Sequence, residues 1–386
     1  MELKKSKLAI TLASVISTVA VSAPTYAADT IADAFTEGKA SAAFRLRYEG
    51  VENPGKAKYA KAGTLKSSLS YKTAEFSGFT AFVQLDNNTA FIDDYALTTS
   101  DPTYHIVADD EYTEINEANI KYAADGYAIT YGRQTITNLN QRFIGHVGWR
   151  QNKQTFDGLR AQATFGDVSV DYSYITNVNT IRDKNDDVDA HNFLATYKLS
   201  ETQSVSGFFY NYELAGAADA LDTYGIDYSG KFSGVALHAS YATQSQGSFD
   251  ADYLALDAKY KVGSVTFGAG YELLGSDGGN GGFTTPLATK HAFNGWADLF
   301  LGTPDNGLED TFASVAYKQG KFKAMAVYHS YSEDHGGADA GSEVDIVVGY
   351  SISKNYSLTL KYADFSGDVA RPLNVTKSWI EFNAKF

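Results

Sequence analysis

Three arginines are concentrated in one short stretch of the chain. Arg133 lies in Gly-Arg-Gln, Arg142 in Asn-Gln-Arg-Phe, and Arg150 directly follows Trp149. A guanidinium offers paired, planar N–H donors to a carboxylate, a phosphate or sugar hydroxyls, and an indole offers a stacking face. The segment 137–153 is longer than a tight turn requires, so it could fold inward as a constriction. It could equally be a solvated loop whose arginines pair with nearby acids, and spacing alone favours neither interpretation.

Residues for covalent, metal or cofactor chemistry form no recognisable pattern. The sequence contains no cysteine, which excludes thiol chemistry and zinc–cysteine sites. Its histidines are scattered and stand in no Gly-x-Ser-x-Gly or His-Glu-x-x-His context. The glycine-rich segment 275–282 lacks the ending of a phosphate-binding loop, and the acidic clusters within 93–111 and 183–189 lack the calcium-loop pattern. We therefore expect no catalytic residue, no cofactor and no metal site.

The composition is acidic and aromatic. Lys plus Arg total 32 and Asp plus Glu total 46, a formal net charge of −14 at pH 7. A nucleic-acid-binding surface is excluded, because too few basic groups would be available to neutralise phosphates. The 34 Gly, 27 Tyr, 23 Phe and only 6 Pro favour one large β-structure over several soluble domains.

The first residues have the layout of a secretory signal peptide. Three lysines at positions 4, 5 and 7 precede an apolar segment and a small-residue cleavage site that ends at Ala27. The apolar segment is short for a membrane-spanning helix, which needs roughly 20 residues. We predict a signal peptide at 1–27 and one domain at 28–386.

Beyond the signal peptide, apolar and polar residues alternate over segments of about ten residues, the period of strands with one apolar and one polar face. Phe44, Leu46 and Tyr48, for example, alternate with Arg45 and Arg47. Strands are predicted near 40–49, 63–72, 77–86, 112–123, 126–136, 154–165, 167–176, 189–199, 203–213, 221–231, 233–243, 251–262, 264–274, 308–318, 321–331, 342–352, 355–364 and 376–386.

Tight and long connections alternate between these strands, a layout typical of outer-membrane barrels with short periplasmic turns and long extracellular loops. The longest connections are 87–111, 137–153 and 275–307. The predicted fold is all-β, a transmembrane antiparallel up-and-down β-barrel of about eighteen strands, with sixteen as the alternative. A sheet survives in lipid only as a closed barrel, because closure satisfies every backbone hydrogen bond.

The apolar face of such a barrel points to lipid, and the interleaved polar residues line the lumen. Tyrosines near strand ends would form girdles at the membrane interfaces. The chain ends on Phe386 after alternate apolar residues, which resembles the signal read by the outer-membrane assembly machinery. The predicted pore-lining or constriction residues are Arg45, Arg47, Arg133, Arg142, Trp149, Arg150 and Arg160.

Two blocks of sequence carry a family resemblance. The run 132–159, GRQTITNLNQRFIGHVGWRQNKQTFDGL, resembles a segment of the alginate-export family of outer-membrane porins. A second block, 285–298 with Gly307-Leu308, is similar to another stretch of these porins. The resemblance implies an eighteen-stranded barrel in the outer membrane of a Gram-negative bacterium.

The expected function is a porin for passive diffusion of small hydrophilic solutes and ions, with sugars or organic acids as selective substrates. The alternatives are an exporter pore for an alginate-like polysaccharide and a structural or adhesive surface barrel with a plugged lumen. Outer-membrane lipid, lipopolysaccharide and the barrel assembly machinery are the expected partners, and both a monomer and a homotrimer stay open. An enzyme is disfavoured, and ion preference and transport direction are left undecided.

Overall fold

Alternating residues form strands along almost the whole chain. The computed structural model describes residues 27–371 and 373–386, so the predicted signal peptide lies outside the described residues except for Ala27. The strands are β1 (Lys39–Glu52), β2 (Ala60–Lys72), β3 (Phe79–Asp94), β4 (Tyr112–Ala124), β5 (Tyr127–Gln134), β6 (Thr155–Phe165), β7 (Val168–Asn179), β8 (Asn185–Ser200), β9 (Gln203–Leu214), β10 (Leu221–Phe232), β11 (Val235–Gln246), β12 (Phe249–Val262), β13 (Val265–Leu274), β14 (Leu308–Gln319), β15 (Phe322–Ser332), β16 (Asp339–Ser351), β17 (Tyr356–Ser366) and β18 (Asn374–Lys385).

These strands close into one antiparallel barrel. Each pairs with its neighbours in sequence, and β1 pairs with both β2 and β18, which leaves no free edge among the described strands. In the closing pair, Arg47 lies opposite Glu381 and Phe44 opposite Ala384. The predicted eighteen-stranded barrel is confirmed, and the alternative of sixteen strands is wrong.

The two faces of the wall differ as the alternation predicts. Outward-facing Leu46, Leu69 and Ile120 are 44%, 55% and 57% exposed, whereas inward-facing Arg47 and Thr64 are buried. An exposed apolar band around a closed wall is stable only against lipid. The wall therefore presents an apolar outer surface and a polar lumen.

The two ends of the barrel also differ. At one end most hairpins turn in two residues, and Gly166, Gly263 and Gly320 adopt φ values of 60°, 59° and 56° that suit such turns. At the other end lie the longest connections, 95–111, 135–154 and 275–307.

At this long-loop end, the strand bounds differ from the predicted ones. Strand β3 runs on to Asp94, β8 begins at Asn185, and β11 and β12 are joined by residues 247–248 alone, because pairing extends these hairpins beyond the alternating segments.

The three long loops fold into the lumen and give the protein an internal core. From the β5–β6 loop, Phe143 packs against Phe208 and Tyr253 of the wall at centroid distances of 4.9 and 5.2 Å. From the β13–β14 loop, Phe283 packs against Tyr253 at 5.5 Å. The loops bury apolar area against the wall, which holds them in place.

One short helix, α1 (Ile31–Thr36), precedes β1 at the short-turn end. Thr30 caps it, since its hydroxyl accepts a hydrogen bond from the backbone N–H of Asp33 at 3.1 Å. No helix among the described residues is both long and apolar enough to cross a membrane.

Candidate lumenal constriction

Arg47 of β1 connects the wall to two of the loops. Its Nε lies 2.7 Å from Glu381 Oε1, and its Nη1 lies 3.2 Å from Asp109 Oδ2 in the β3–β4 loop. Its Nη2 donates to the backbone carbonyl of Trp149 at 2.6 Å, and the guanidinium stacks 4.2 Å from the indole centroid. A buried guanidinium needs all these partners to offset its lost hydration. The alternation predicts the inward position of Arg47, and its side chain there joins the wall to the β3–β4 and β5–β6 loops.

Arg150, which lies in the β5–β6 loop, also contacts both the wall and another loop. Its Nη1 lies 2.8 Å from Glu49 Oε2 on the wall, and its Nη2 lies 3.1 Å from Asp298 Oδ2 in the β13–β14 loop. Asp109 is 3.9 Å away. Burial alone would lower the pKa of Arg150, but Glu49, Asp109 and Asp298 hold it above its usual value. Arg150 thus joins two loops to β1 as a permanent cation.

Arg142 connects the β5–β6 loop to β13. Its Nε lies 2.8 Å from Glu272 Oε1, and its Nη2 donates to Asn294 Oδ1 at 2.9 Å. Its guanidinium lies 4.7 Å from the ring of Phe293. Arg142 and Arg150 are only 3% and 6% exposed. Their guanidinium groups therefore contact the loops and the wall, and little of either side chain reaches solvent.

Asp298 lies close to nitrogen atoms of three side chains in this network. Arg150 lies 3.1 Å away, Lys377 Nζ of β18 3.0 Å and His291 Nδ1 2.5 Å. Burial opposes ionisation, yet the hydrogen bond from His291 and the charges of Lys377 and Arg150 hold the pKa of Asp298 well below its usual value. Burial lowers the pKa of His291 to about 3, which leaves its neutral ring donating to Asp298 and stacked 4.0 Å from the indole of Trp149.

A turn of the β13–β14 loop, residues 294–298, docks on inward-facing carboxylates. The backbone N–H of Ala297 donates to Glu343 Oε1 at 2.6 Å, and that of Trp296 donates to Asp345 Oδ2 at 3.2 Å. Gly295, with φ 84°, lies so close that a Cβ would stand 2.4 Å from Glu343 Oε2. The turn therefore requires glycine for both its conformation and its fit.

The remaining sequence-predicted arginines are placed differently. Arg45 donates to Gln151 Oε1 at 2.7 Å and to the carbonyl of Gly148 at 3.0 Å, beneath the β5–β6 loop. Arg160 faces the lumen and pairs with Asp171. Arg133 shares the outward face with Tyr131, which is 69% exposed, and pairs with Asp157 at 2.8 Å. The sequence analysis grouped Arg133 with lumenal residues, but strand register puts it outside, because Tyr131 and Arg133 are two residues apart on one strand.

Several residues of the site were not among the predicted constriction residues. Lys361 Nζ lies 3.3 Å from the centroid of Trp149 and 4.9 Å from that of Trp296. Asp109, Glu272 and Asp298, which bind the arginines, stand far from them in the chain. The alternation places Lys361 and Glu272 on the lumenal face, but it does not indicate which residues they contact. Asp109 and Asp298, which lie in the loops, had no signal beyond their charge.

Not every lumenal cation is neutralised by an acid. Within the described residues, no carboxylate lies within 4.0 Å of a Lys290, Lys121 or Arg45 side-chain nitrogen. Lys290 belongs to the β13–β14 loop and is part-exposed; burial and the nearby Arg142 lower its pKa. In the same described part of the chain, no group of three or more metal-ligating side chains is placed to hold an ion. The lumenal site is thus built from ion pairs, and among the described residues it leaves the side chains of Lys290 and Lys121 without a carboxylate within ion-pair distance.

Comparison with known proteins identifies the family. A sequence model described as "Alginate export" matches residues 63–271, which cover the whole wall from β2 almost to the end of β13 and include the arginine-bearing loop. The chain belongs to the alginate export family. A search of curated proteins finds no match.

Solved structures agree with the fold of this alginate export family member. OccAB4 of Acinetobacter baumannii superimposes with a TM-score of 0.70 at 14% identity, over 90% of this chain and 98% of that one. OccK7 (OpdD) of Pseudomonas aeruginosa gives a TM-score of 0.69 at 13% identity, over 91% and 99%. OpdK of Pseudomonas aeruginosa, solved with vanillate, gives 0.69 at 12% identity, over 91% and 99%.

Family and fold together locate the protein. It is an outer-membrane β-barrel of porin type, as predicted from the alternation and the short and long connections. The short-turn end is periplasmic and the long-loop end extracellular. The three inward loops therefore narrow the extracellular half of the lumen.

Proposed function

We propose that the protein is a passive diffusion channel for small hydrophilic solutes, with organic acids and sugars as the solutes it passes best. The observation that carries this proposal is the polar lumen of a closed eighteen-stranded wall, narrowed by loops that ion pairs hold in place. Barrels of this size have room for an aqueous path, whereas eight-stranded barrels fill with side chains. A fixed constriction selects by size and charge without moving parts.

The charges of the constriction support a preference for anions. Three acids at the docked loops, Glu49, Asp109 and Asp298, have buried side chains that are paired with arginine or lysine. Lys290 has no carboxylate within ion-pair distance among the described residues and is partly exposed, so it is free to meet a solute anion. A carboxylate that passes through the lumen would exchange part of its hydration water for hydrogen bonds from the Lys290 ammonium group.

Solute uptake into proteoliposomes tests the proposal. We expect a monocarboxylate and a monosaccharide to enter faster through the refolded mature chain than through empty vesicles, with the carboxylate ahead of an equally sized amine. The Lys290→Gln variant should reduce the lead of the carboxylate and leave the sugar rate unchanged. Equal rates for carboxylate and amine in the parent chain would contradict the charge preference, and no uptake of any solute would contradict the channel.

A polysaccharide exporter is the second candidate, because the family model carries the description "Alginate export". An extended polyuronate also carries carboxylates that Lys290 could meet. Polymer exclusion separates the two functions: neutral polymers of increasing size should stop entering the lumen at a smaller size in a small-solute channel than in an exporter. The adhesive alternative requires no open lumen and is excluded by any solute flux.

The proposal includes no catalysis. Among the described residues, no histidine is hydrogen-bonded to a serine hydroxyl, the pairing that a serine hydrolase needs. The wall contacts of His238 and His329 are with carboxylates. Proteoliposomes with ester or glycoside substrates should release no product.

Phe386 is proposed as the signal for the assembly machinery. Its backbone N–H donates to the carbonyl of Ala42 at 2.8 Å, and its ring is 61% exposed on the outer face beside Phe44 and Tyr356. Deletion of Phe386 should lower the amount of folded barrel in the membrane while the barrels that do assemble conduct normally. Unchanged amounts of folded protein would contradict this role.

The lipid surroundings and the assembly state are also proposed. Outer-membrane lipid and lipopolysaccharide would contact the apolar outer wall, and both a monomer and a homotrimer fit a wall apolar on all sides. Native mass measurement in detergent distinguishes the two states.

A further inference from the structure

Helix α1 carries two large apolar side chains that none of the described residues covers. Ile31 is 63% exposed and Phe35 is 59% exposed. They stand four residues apart and lie on one face of the helix, about 40° apart around its axis. Two exposed apolar side chains on one face of an ordered helix indicate a contact with something other than water.

The helix is fixed against the periplasmic rim of the barrel. Ala34 is buried, and its carbonyl accepts a hydrogen bond from the backbone N–H of Ala74 in the β2–β3 turn at 2.9 Å. The backbone N–H of Ala28 donates to the carbonyl of Glu75 in the same turn at 2.8 Å. The side chain of Ala34 therefore marks the direction of the barrel.

Tyr71 ties the helix to the outer side of this rim. It belongs to β2, faces outward with Leu69, and its hydroxyl donates to the carbonyl of Phe35. A Cβ on Gly38 would stand 2.0 Å from the Tyr71 hydroxyl, so the ring lies directly over the chain between α1 and β1. Because Tyr71 is on the lipid-facing side, the end of α1 that it holds lies there too.

The helix is apolar on one side and acidic on the other. Around the axis, Asp33 lies about 180° from the midpoint between Ile31 and Phe35, while Ala34 lies roughly midway between the two sides. With Ala34 directed at the barrel, the apolar side and the acidic side point in opposite directions along the membrane surface. The apolar side continues the outer wall on which Leu69 is 55% exposed.

We propose that α1 is an interfacial anchor whose Ile31 and Phe35 insert into the periplasmic leaflet of the outer membrane. The occupant of this surface is lipid, because the surface is continuous with the lipid-facing wall and Tyr71 stands at their junction. Asp33 stays in the periplasmic water. The anchor fixes the start of β1, the strand that closes the barrel against β18.

Site-directed spin labelling tests the proposal without background, because the chain has no cysteine. Nitroxide labels are placed in the full mature chain, refolded into phosphatidylethanolamine and phosphatidylglycerol vesicles, through the single variants Ile31→Cys, Phe35→Cys and Asp33→Cys. Leu69→Cys is the reference for lipid and Asp125→Cys, in a periplasmic turn, the reference for water. Collisions with oxygen report lipid exposure, and collisions with a water-soluble nickel chelate report water exposure.

Labels at positions 31 and 35 should match position 69, with oxygen collisions dominant, and the label at 33 should match position 125. Equal access of the nickel chelate to positions 31, 33 and 35 would overturn the proposal. Protection of 31 and 35 from both reagents would also overturn it, because it would mean that a protein or a second barrel covers the helix. Heat-modifiable migration on gels confirms that each labelled barrel is folded.

Discussion

At the scale of single residues, the arginines of the long loops fasten the constriction. Arg142 and Arg150 each bridge a loop to an acid on the wall, Glu272 and Glu49, and are almost fully buried. Loss of one partner of a buried pair leaves the other charge uncompensated, at a cost of about 3–5 kcal/mol. We therefore expect selectivity to depend more on cations that have no acidic partner, such as Lys290.

Arg150→Met should destabilise loop docking strongly. Glu49, Asp109 and Asp298 would lose their common cation, so we expect a marked fall in the unfolding midpoint and a noisier channel. Arg133→Met is the matched control, because its pair with Asp157 is partly exposed and such pairs contribute about 0–1 kcal/mol. Thermal unfolding followed by circular dichroism measures both. Equal midpoints for the two variants would contradict the fastening role of Arg150.

Asp298 makes loop docking sensitive to acid. Its pKa is depressed in the folded protein, so its contribution is fully present above the unfolded value of about 3.9 and is lost as pH falls through the folded value. We expect single-channel conductance to be constant from pH 7 to pH 5 and to change only below about pH 4. Asp298→Asn should remove this contribution already at pH 7. A conductance change centred near pH 6 would point to another group.

At the scale of elements, the turn 294–298 determines how the β13–β14 loop sits in the lumen. Its backbone N–H groups reach Glu343 and Asp345 only because Gly295 has no side chain. Backbone hydrogen bonds to the wall therefore hold the loop in addition to the ion pairs of Asp298.

Gly295→Val should detach this turn. The new side chain would meet Glu343 and would also strain the positive φ of 84°. We expect larger and less regular current steps in a planar bilayer. Gly302→Val is the control in the same loop, since a Cβ there meets nothing within 4 Å. Identical steps for both variants would show that the docked turn does not narrow the path.

The strands could be predicted from the sequence, but the side-chain contacts that the loops make inside the lumen could not. All eighteen strands follow from the alternation, because a closed wall between lipid and water imposes the two-residue period on every strand. Extending the outward parity of Tyr131 by two residues would also have placed Arg133 outside. The pairing of Arg142 with Glu272 depends on how the β5–β6 loop folds inside the lumen against β13, and no local pattern of the sequence records that.

At the scale of the whole molecule, lipid and ion pairs stabilise different parts. The closed wall of an alginate export family barrel satisfies its backbone in lipid, and α1 continues its apolar surface at the periplasmic rim. Inside, buried charges hold three loops in the extracellular half of the lumen. The lumen is polar, and among the described residues Lys290 of the β13–β14 loop has no carboxylate within ion-pair distance.

Single-channel conductance and reversal potential of the refolded mature chain, in a planar bilayer under a potassium chloride gradient, test this account most directly. We predict stable, regular steps and a reversal potential whose sign shows a preference for chloride, reduced in Lys290→Gln. A preference for potassium would contradict the charge assignment. The absence of steps from a demonstrably folded barrel would contradict the channel itself and mean that the loops close the lumen.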